Sequence, residues 1–221
     1  MRGLVLLADP EIAAVRVEEC HEGLVGLREQ RHLLLDDRKR DPRGAFALLR
    51  EGLVDRLVRA QAVLPIGIRL LIVEGYRPLP LQRRYFSEYE LRLRRAHPDW
   101  DAATVRRQAS RYISPPEVAP HCTGGAVDLT LCAADGVELD MGTPVNATPE
   151  ESDGACFTAA TSISRQAARN RRVLTDVLVT AGLVNYPTEW WHWSYGERYW
   201  AFATGAPAAV FGPVNPLPLS P

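Results

Sequence analysis

Between residues 43 and 63 the apolar side chains recur at helical spacing: Phe46, Leu49, Leu53 and Leu57, with Val54 and Val58 beside them. That period gathers them on one face and predicts an amphipathic helix. Asp41-Pro42 reads as its start, because Asp accepts from free N–H groups and Pro suits a first turn. Pro65 and Gly67 end it. Ile68 to Val73 is a continuous apolar, β-branched run, the pattern of a buried strand. Ala126 to Cys132 alternates, with Val127, Leu129 and Leu131 on one side and Asp128, Thr130 and Cys132 on the other. Asp135-Gly136 is a hairpin-turn pair, with Val137 to Leu139 returning. The Arg- and Glu-rich stretches 80–96 and 101–112 predict exposed helices, and Pro115, Pro116 and Pro120 exclude regular structure after them. Ile163 to Ala181 predicts a second long helix stopped by Gly182. Leu183 to Tyr186, Glu189 to Tyr195 and Tyr199 to Phe202 read as strands, residues 1–40 as short strands and loops, and 143–161 as loop. Helices and antiparallel hairpins in one chain give an α+β fold. We expect one domain over residues 1–221, with a Pro-rich arm from about 205.

Charge narrows the function classes. With 26 basic and 27 acidic residues the net charge is −1, so neither nucleic acid nor an anionic membrane is an expected partner. The basic run on 83–111 is broken by Glu88, Glu90, Asp99 and Asp101 and reads as a solvated helix face. Lys39 is the only lysine. It sits in Asp36-Asp37-Arg38-Lys39-Arg40-Asp41, which reads as a solvated charge run, so Ser–Lys, Schiff-base and Walker-type chemistry are not expected. Cys20, Cys122, Cys132 and Cys156 are scattered, with no C-x-x-C. There is no apolar stretch of membrane-spanning length and no signal-peptide pattern at the start, so a cytoplasmic protein with reduced thiols is the expectation.

The chemistry concentrates in two segments. One carries His121 and Asp128 around Thr123-Gly124-Gly125; the other is Thr188-Glu189-Trp190-Trp191-His192-Trp193. Two imidazoles and a carboxylate make a zinc site that keeps one position for water. A further carboxylate beside that water is what metal-assisted hydrolysis requires. Taken singly, each residue has a plainer reading: a loop histidine, an Asp on a hairpin face, a Glu capping an imidazole at an aromatic core edge. Strict alternation puts Glu189 and His192 on opposite faces, so a shared site needs Glu189 on a bend, for which Pro187 provides. Arg77 follows the apolar strand in Gly75-Tyr76-Arg77-Pro78 and reads either as a surface arginine or as a donor to an oxyanion.

Glu74-Gly75-Tyr76-Arg77-Pro78, His121-x6-Asp128-Leu129-Thr130, Asp140-Met141-Gly142-Thr143 and Glu189-Trp190-Trp191-His192 together, in this order, resemble the D-alanyl-D-alanine dipeptidases. The resemblance covers roughly residues 70–200. It implies a small central antiparallel sheet flanked by helices, as in other zinc D,D-peptidases. It also implies one zinc per chain on His121, Asp128 and His192, Glu189 as general base, Arg77 at the oxyanion and a small D,D-dipeptide as substrate. Asn146, Tyr76 and Trp190 are then expected to touch that substrate. Two positions depart from the family: Pro120 replaces a serine before the first histidine, and Asn146 replaces an aspartate that holds the substrate ammonium. Glu150, Glu151 and Asp153 are expected to supply the missing charge. The rivals are a D,D- or L,D-carboxypeptidase acting on peptidoglycan peptides and a non-catalytic zinc-binding interaction protein.

Overall fold

The two most apolar runs of the chain pair with each other and form the centre of a five-stranded sheet. The computed structural model describes residues 4–214. Its elements run α1 (Pro10–Ala13), β1 (Leu24–Gly26), β2 (Leu34–Leu35), β3 (Leu48–Arg50), α2 (Glu51–Ala62), β4 (Ile68–Glu74), α3 (Leu79–Ala96) and α4 (Ala102–Ala109), then β5 (Ala126–Ala133), α5 (Arg165–Thr180), β6 (Val184–Asn185), β7 (His192–Ser194) and α6 (Arg198–Thr204). The sheet order is β2-β4-β5-β7-β6, and a separate pair joins β1 to β3. Only β2 runs parallel to its neighbour; the other pairings in the sheet are antiparallel. Among the described residues no helix is long and apolar enough to cross a membrane.

Leu53, Val54, Leu57 and Ala60 of α2 and Leu174, Val177 and Leu178 of α5 enter one core with Leu70, Ile72, Val127, Leu129 and Leu131 of the sheet. Burying each Val, Leu or Ile among these contributes roughly 1.5–3 kcal/mol. A second cluster joins α3 to α4 through Phe86, Tyr89, Leu93, Val105 and Ala109, so these two charged helices are half-buried rather than wholly exposed.

Two element assignments are corrected. The first long helix begins at Glu51, not near residue 43. Asp41 accepts from the Arg43 and Phe46 N–H groups, Gly44 is left-handed at φ 66°, and Leu48–Arg50 pairs with β1. The helical period there is therefore shared by a tight turn and a strand that point the same residues inward. Residues 198–204 are helical, not extended, because the buried Glu197 carboxylate accepts from the Tyr199 and Trp200 N–H groups and caps a turn. The Pro-rich arm is packed as far as it is described. Ala209 bridges Val17, Phe211 is buried under Arg50 and the Val214 N–H donates to Cys122 O; residues 215–221 lie outside the described residues.

Candidate metal centre

Strand register assembles most of the site. Asp128 on β5 lies opposite His192 on β7 and opposite Glu74 on β4, and paired residues share a sheet face. The pairing of β4 with β5 shifts by one residue between Ile72 and Glu74, and this bulge brings Glu74 into the row. His121 comes from the turn Pro120–Thr123 that leads into β5. Its main-chain oxygen accepts from the Arg77 N–H, and Arg50 Nε donates to Thr123 O at 2.8 Å. The turn closes at Gly124, left-handed at φ 71°. Gly75 is required for a different reason: a Cβ there would lie 2.5 Å from Leu48 O.

The ring of His121 is oriented by a main-chain oxygen just past the end of β4. Nδ1 lies 2.7 Å from Gly75 O, which makes it the protonated nitrogen and leaves the Nε2 lone pair facing Asp128 and His192. His121 Nε2 is 3.1 Å from His192 Nδ1, His192 Nδ1 is 3.0 Å from Asp128 Oδ1, and His121 Nε2 is 3.3 Å from Asp128 Oδ1. Ligand atoms at the usual Zn–N and Zn–O lengths of a tetrahedral site lie about 3.3 Å apart. The three donor atoms thus form one face of a coordination tetrahedron, and all three side chains are buried. Burial raises the proton affinity of Asp128, but the two imidazoles outweigh it and hold the carboxyl well below the usual range. Burial lowers that of His192. Both shifts favour the ligand forms, carboxylate and neutral imidazole.

Glu189 sits on a bend. Its N–H donates to Tyr186 O and its carbonyl accepts from the His192 N–H, so the chain makes two successive turns between Tyr186 and β7. This places Glu189 Oε2 3.8 Å from His192 Nδ1, beside the three donors without joining them. Burial, and then the Asp128 charge, push its carboxyl well above the usual range.

A cavity of about 400 Å³ opens over this centre. Arg77, Asn146, His121, Asp128, Glu189 and His192 all lie on its wall. Arg77 donates through Nε and Nη2 to the two oxygens of Glu74, both at 2.7 Å, and through Nη1 to Gln82 Oε1. Burial disfavours its charge, but Glu74 outweighs this and fixes the guanidinium as a cation.

Two expected substrate contacts are not on this wall. The Tyr76 N–H donates to Leu48 O, and alternation along that extended segment turns its ring to a separate hollow while Arg77 faces the metal side. Trp190 is buried in the main core, with Nε1 donating to Thr143 Oγ1 and the Arg171 guanidinium over its ring. Glu150, Glu151 and Asp153 are not on the wall either. Glu150 accepts from Tyr89 OH at 2.5 Å and Glu151 pairs with Arg92. The wall takes its additional carboxylate from Glu88 of α3.

The family model described as D-ala-D-ala dipeptidase matches residues 35–204. The chain belongs to this family. A D-alanyl-D-alanine dipeptidase of Synechocystis sp. is 26% identical over 183 residues, covering 70% of this chain and 72% of the relative. One of Enterococcus faecium is 30% identical over 132 residues, covering 58% of this chain and 62% of the relative. Among solved structures, the LdcB LD-carboxypeptidase aligns over 84% of this chain and 73% of its own at 19% identity, with a TM-score of 0.46.

Within this dipeptidase-family chain, sequence reasoning missed several residues of the site. Lys39 is on the cavity wall instead of in a solvated run, and Tyr85, Tyr89 and Tyr112 line the same space. Tyr112 OH donates to Asn146 O, at a residue that is itself left-handed at φ 66°. The tyrosines carry no motif, and their only signal is position along α3 and after α4. For Lys39 the signal was its uniqueness in a chain otherwise supplied with arginine.

Proposed function

We propose that this chain is a zinc dipeptidase that hydrolyses free dipeptides of the D-Ala-D-Ala type, with Glu189 as general base and Arg77 as oxyanion donor. The observation that carries the reading is the convergence of His121 Nε2, Asp128 Oδ1 and His192 Nδ1 within 3.0–3.3 Å, with a fourth, non-ligating carboxylate beside them. These three residues would hold the zinc; when bound, it polarises the scissile carbonyl and acidifies a water molecule. A structural zinc site uses all four positions on protein ligands and has no need of Glu189.

Glu189 receives one proton of the attacking water as the water oxygen bonds to the carbonyl carbon. It passes that proton to the amide nitrogen as the C–N bond breaks, and the free amine leaves. Its burial supports this role, because a carboxylate of raised proton affinity is a better proton acceptor than an exposed one. A guanidinium carries five N–H donors. Three of those on Arg77 are committed to Glu74 and Gln82, which leaves two for the oxygen that gains charge. Its partners hold it rigid, so little reorganisation is needed as that charge develops. The cavity is the size of a small-molecule site, consistent with a dipeptide. The four cysteines are unpaired, which supports a cytoplasmic location.

The test is a hydrolysis screen of zinc-loaded protein against D,D-, L,D- and L,L-dipeptides and against N-acetylated and longer peptides. Release of D-Ala from free D-Ala-D-Ala with little from the N-acetylated form is the expected result. Preference for the N-acetylated or longer substrates would move the chain to the carboxypeptidases.

A further inference from the structure

Lys39 lies on the loop between β2 and β3, and that loop is fastened to the sheet. The Asp36 N–H donates to Ile72 O at 2.8 Å, and Arg38 bridges Asp36 to Glu138. The Lys39 side chain crosses the Tyr85 ring, with Nζ 5.9 Å from its centroid, and reaches the wall of the metal-centre cavity. Only 28% of that side chain is exposed. Among the described residues its ammonium makes no hydrogen bond. The nearest charged partner is Glu74 Oε2 at 3.9 Å, and both oxygens of that carboxylate are already taken by Arg77. Of the other wall cations, Arg77 has its charge paired with Glu74 and its two spare N–H groups assigned to the oxyanion, and Arg92 pairs with Glu151. Lys39 therefore offers three donors to a half-enclosed space and has no acceptor for them. A partly desolvated ammonium in that state favours an anionic ligand.

Resting on the dipeptidase reading, we propose that Lys39 is the residue that binds the C-terminal carboxylate of the substrate. In a dipeptide that carboxylate is separated from the scissile carbonyl carbon only by the amide nitrogen and one Cα. A cation in the same small cavity as Glu189 can meet it only when the last peptide bond of a chain is at the metal centre. Lys39 thereby selects a free C-terminus adjacent to the bond cut, and rejects internal peptide bonds and C-terminal amides. Tyr85, whose ring centroid lies 5.9 Å from Nζ, lines the same cavity.

The experiment measures binding, so that it does not depend on turnover. Zinc-loaded Glu189→Gln protein is titrated calorimetrically with D-Ala-D-Ala and with D-alanyl-D-alaninamide, alone and combined with Lys39→Met or Lys39→Arg. The free acid should bind roughly 10- to 100-fold more tightly than the amide. Lys39→Met should bring the acid down to the affinity of the amide, and Lys39→Arg should keep most of the preference; Lys39→Gln replaces the methionine variant if that does not fold. An acid-over-amide preference that survives Lys39→Met, an equal loss for both ligands, or no binding of the acid at millimolar concentration overturns the assignment. Wild-type turnover of D-Ala-D-Ala is followed separately. Its absence would sink the dipeptidase reading, while the acid–amide comparison would still decide the role of Lys39.

Discussion

At the scale of single residues, three carboxylates separated by one or two strands do different work because their surroundings differ. Asp128 is held ionised by two imidazoles, Glu74 by Arg77, and Glu189 is left with burial and a like charge. Replacing Glu189 by Gln should keep zinc bound while turnover falls roughly 100-fold or more; loss of zinc with unchanged activity per metal would reverse the roles of base and ligand. The same substitution has a stability signature in chelated, metal-free protein. Because folding raises the Glu189 proton affinity, wild-type stability is greatest below the unfolded value of 4.5 and declines as pH rises through the folded one. Gln does not titrate, so the melting temperature of Glu189→Gln relative to wild type should increase from pH 4 toward pH 8. A difference that shrinks over that range would contradict the burial argument. Arg77→Ala should lower kcat more than it raises KM, since the two spare N–H groups meet charge that exists only in the transition state; a pure KM effect would make Arg77 a substrate anchor.

At the scale of elements, the structure shows how loops are made rigid enough to carry chemistry. Residues 141–157 contain no helix or strand, yet Asn146 is held in place. Arg171 of α5 is buried and donates to Met141 O, Ala155 O and Phe157 O, three carbonyls of that loop, at 2.7–2.8 Å. Burial without a carboxylate partner brings its proton affinity down to about 10, still a cation at neutral pH. Arg171→Leu strands those carbonyls and should cost about 2–4 kcal/mol. Thermal unfolding and limited proteolysis read the outcome, with earlier cleavage inside 141–157 expected; an unchanged melting temperature would show that the loop holds itself. The helix Arg165–Thr180 was legible from its long amphipathic run and the Gly182 stop, and the structure adds a cap, the Ser164 side chain accepting from the Ala167 N–H. The start of α2 was not, because Phe46 and Leu49 fit a helical period while being held by a turn and a strand. Likewise Tyr199 to Phe202 has the residue types of a strand, and only the Glu197 cap decides for a helix.

At the scale of the molecule, the three donor residues tie the β5–β7 pair to the turn before β5, so an ion shared by them would couple metal binding to folding. A metal present at a thousand times its dissociation constant stabilises by about 4 kcal/mol, which for a chain of this size corresponds to roughly 10 °C in melting temperature. Chelation should produce a loss of that order, and zinc should restore it; a melting temperature indifferent to chelation would mean the three donors do not share an ion. The identities of those donors were open to reading from the chain alone. His121, Asp128 and His192, with Glu189 beside them as a non-ligating carboxylate, fall within two short segments, and spacing is a local property. The strand assignments of 68–74 and 126–133 rest likewise on local apolarity. What required tertiary structure were the relations between segments. The one-residue bulge in β4 aligns Glu74 with Asp128, a register that no single strand encodes. Alternation sends Tyr76 away from the cavity and Arg77 into it only once Leu48 has paired with that segment. Trp190 belongs to the core because α5 lays Arg171 across it. Lys39, one charge among many in its own stretch of sequence, becomes part of the site because the end of β4 holds its loop at the cavity mouth, and hydrogen bonds between residues more than thirty positions apart leave no periodic trace in a sequence.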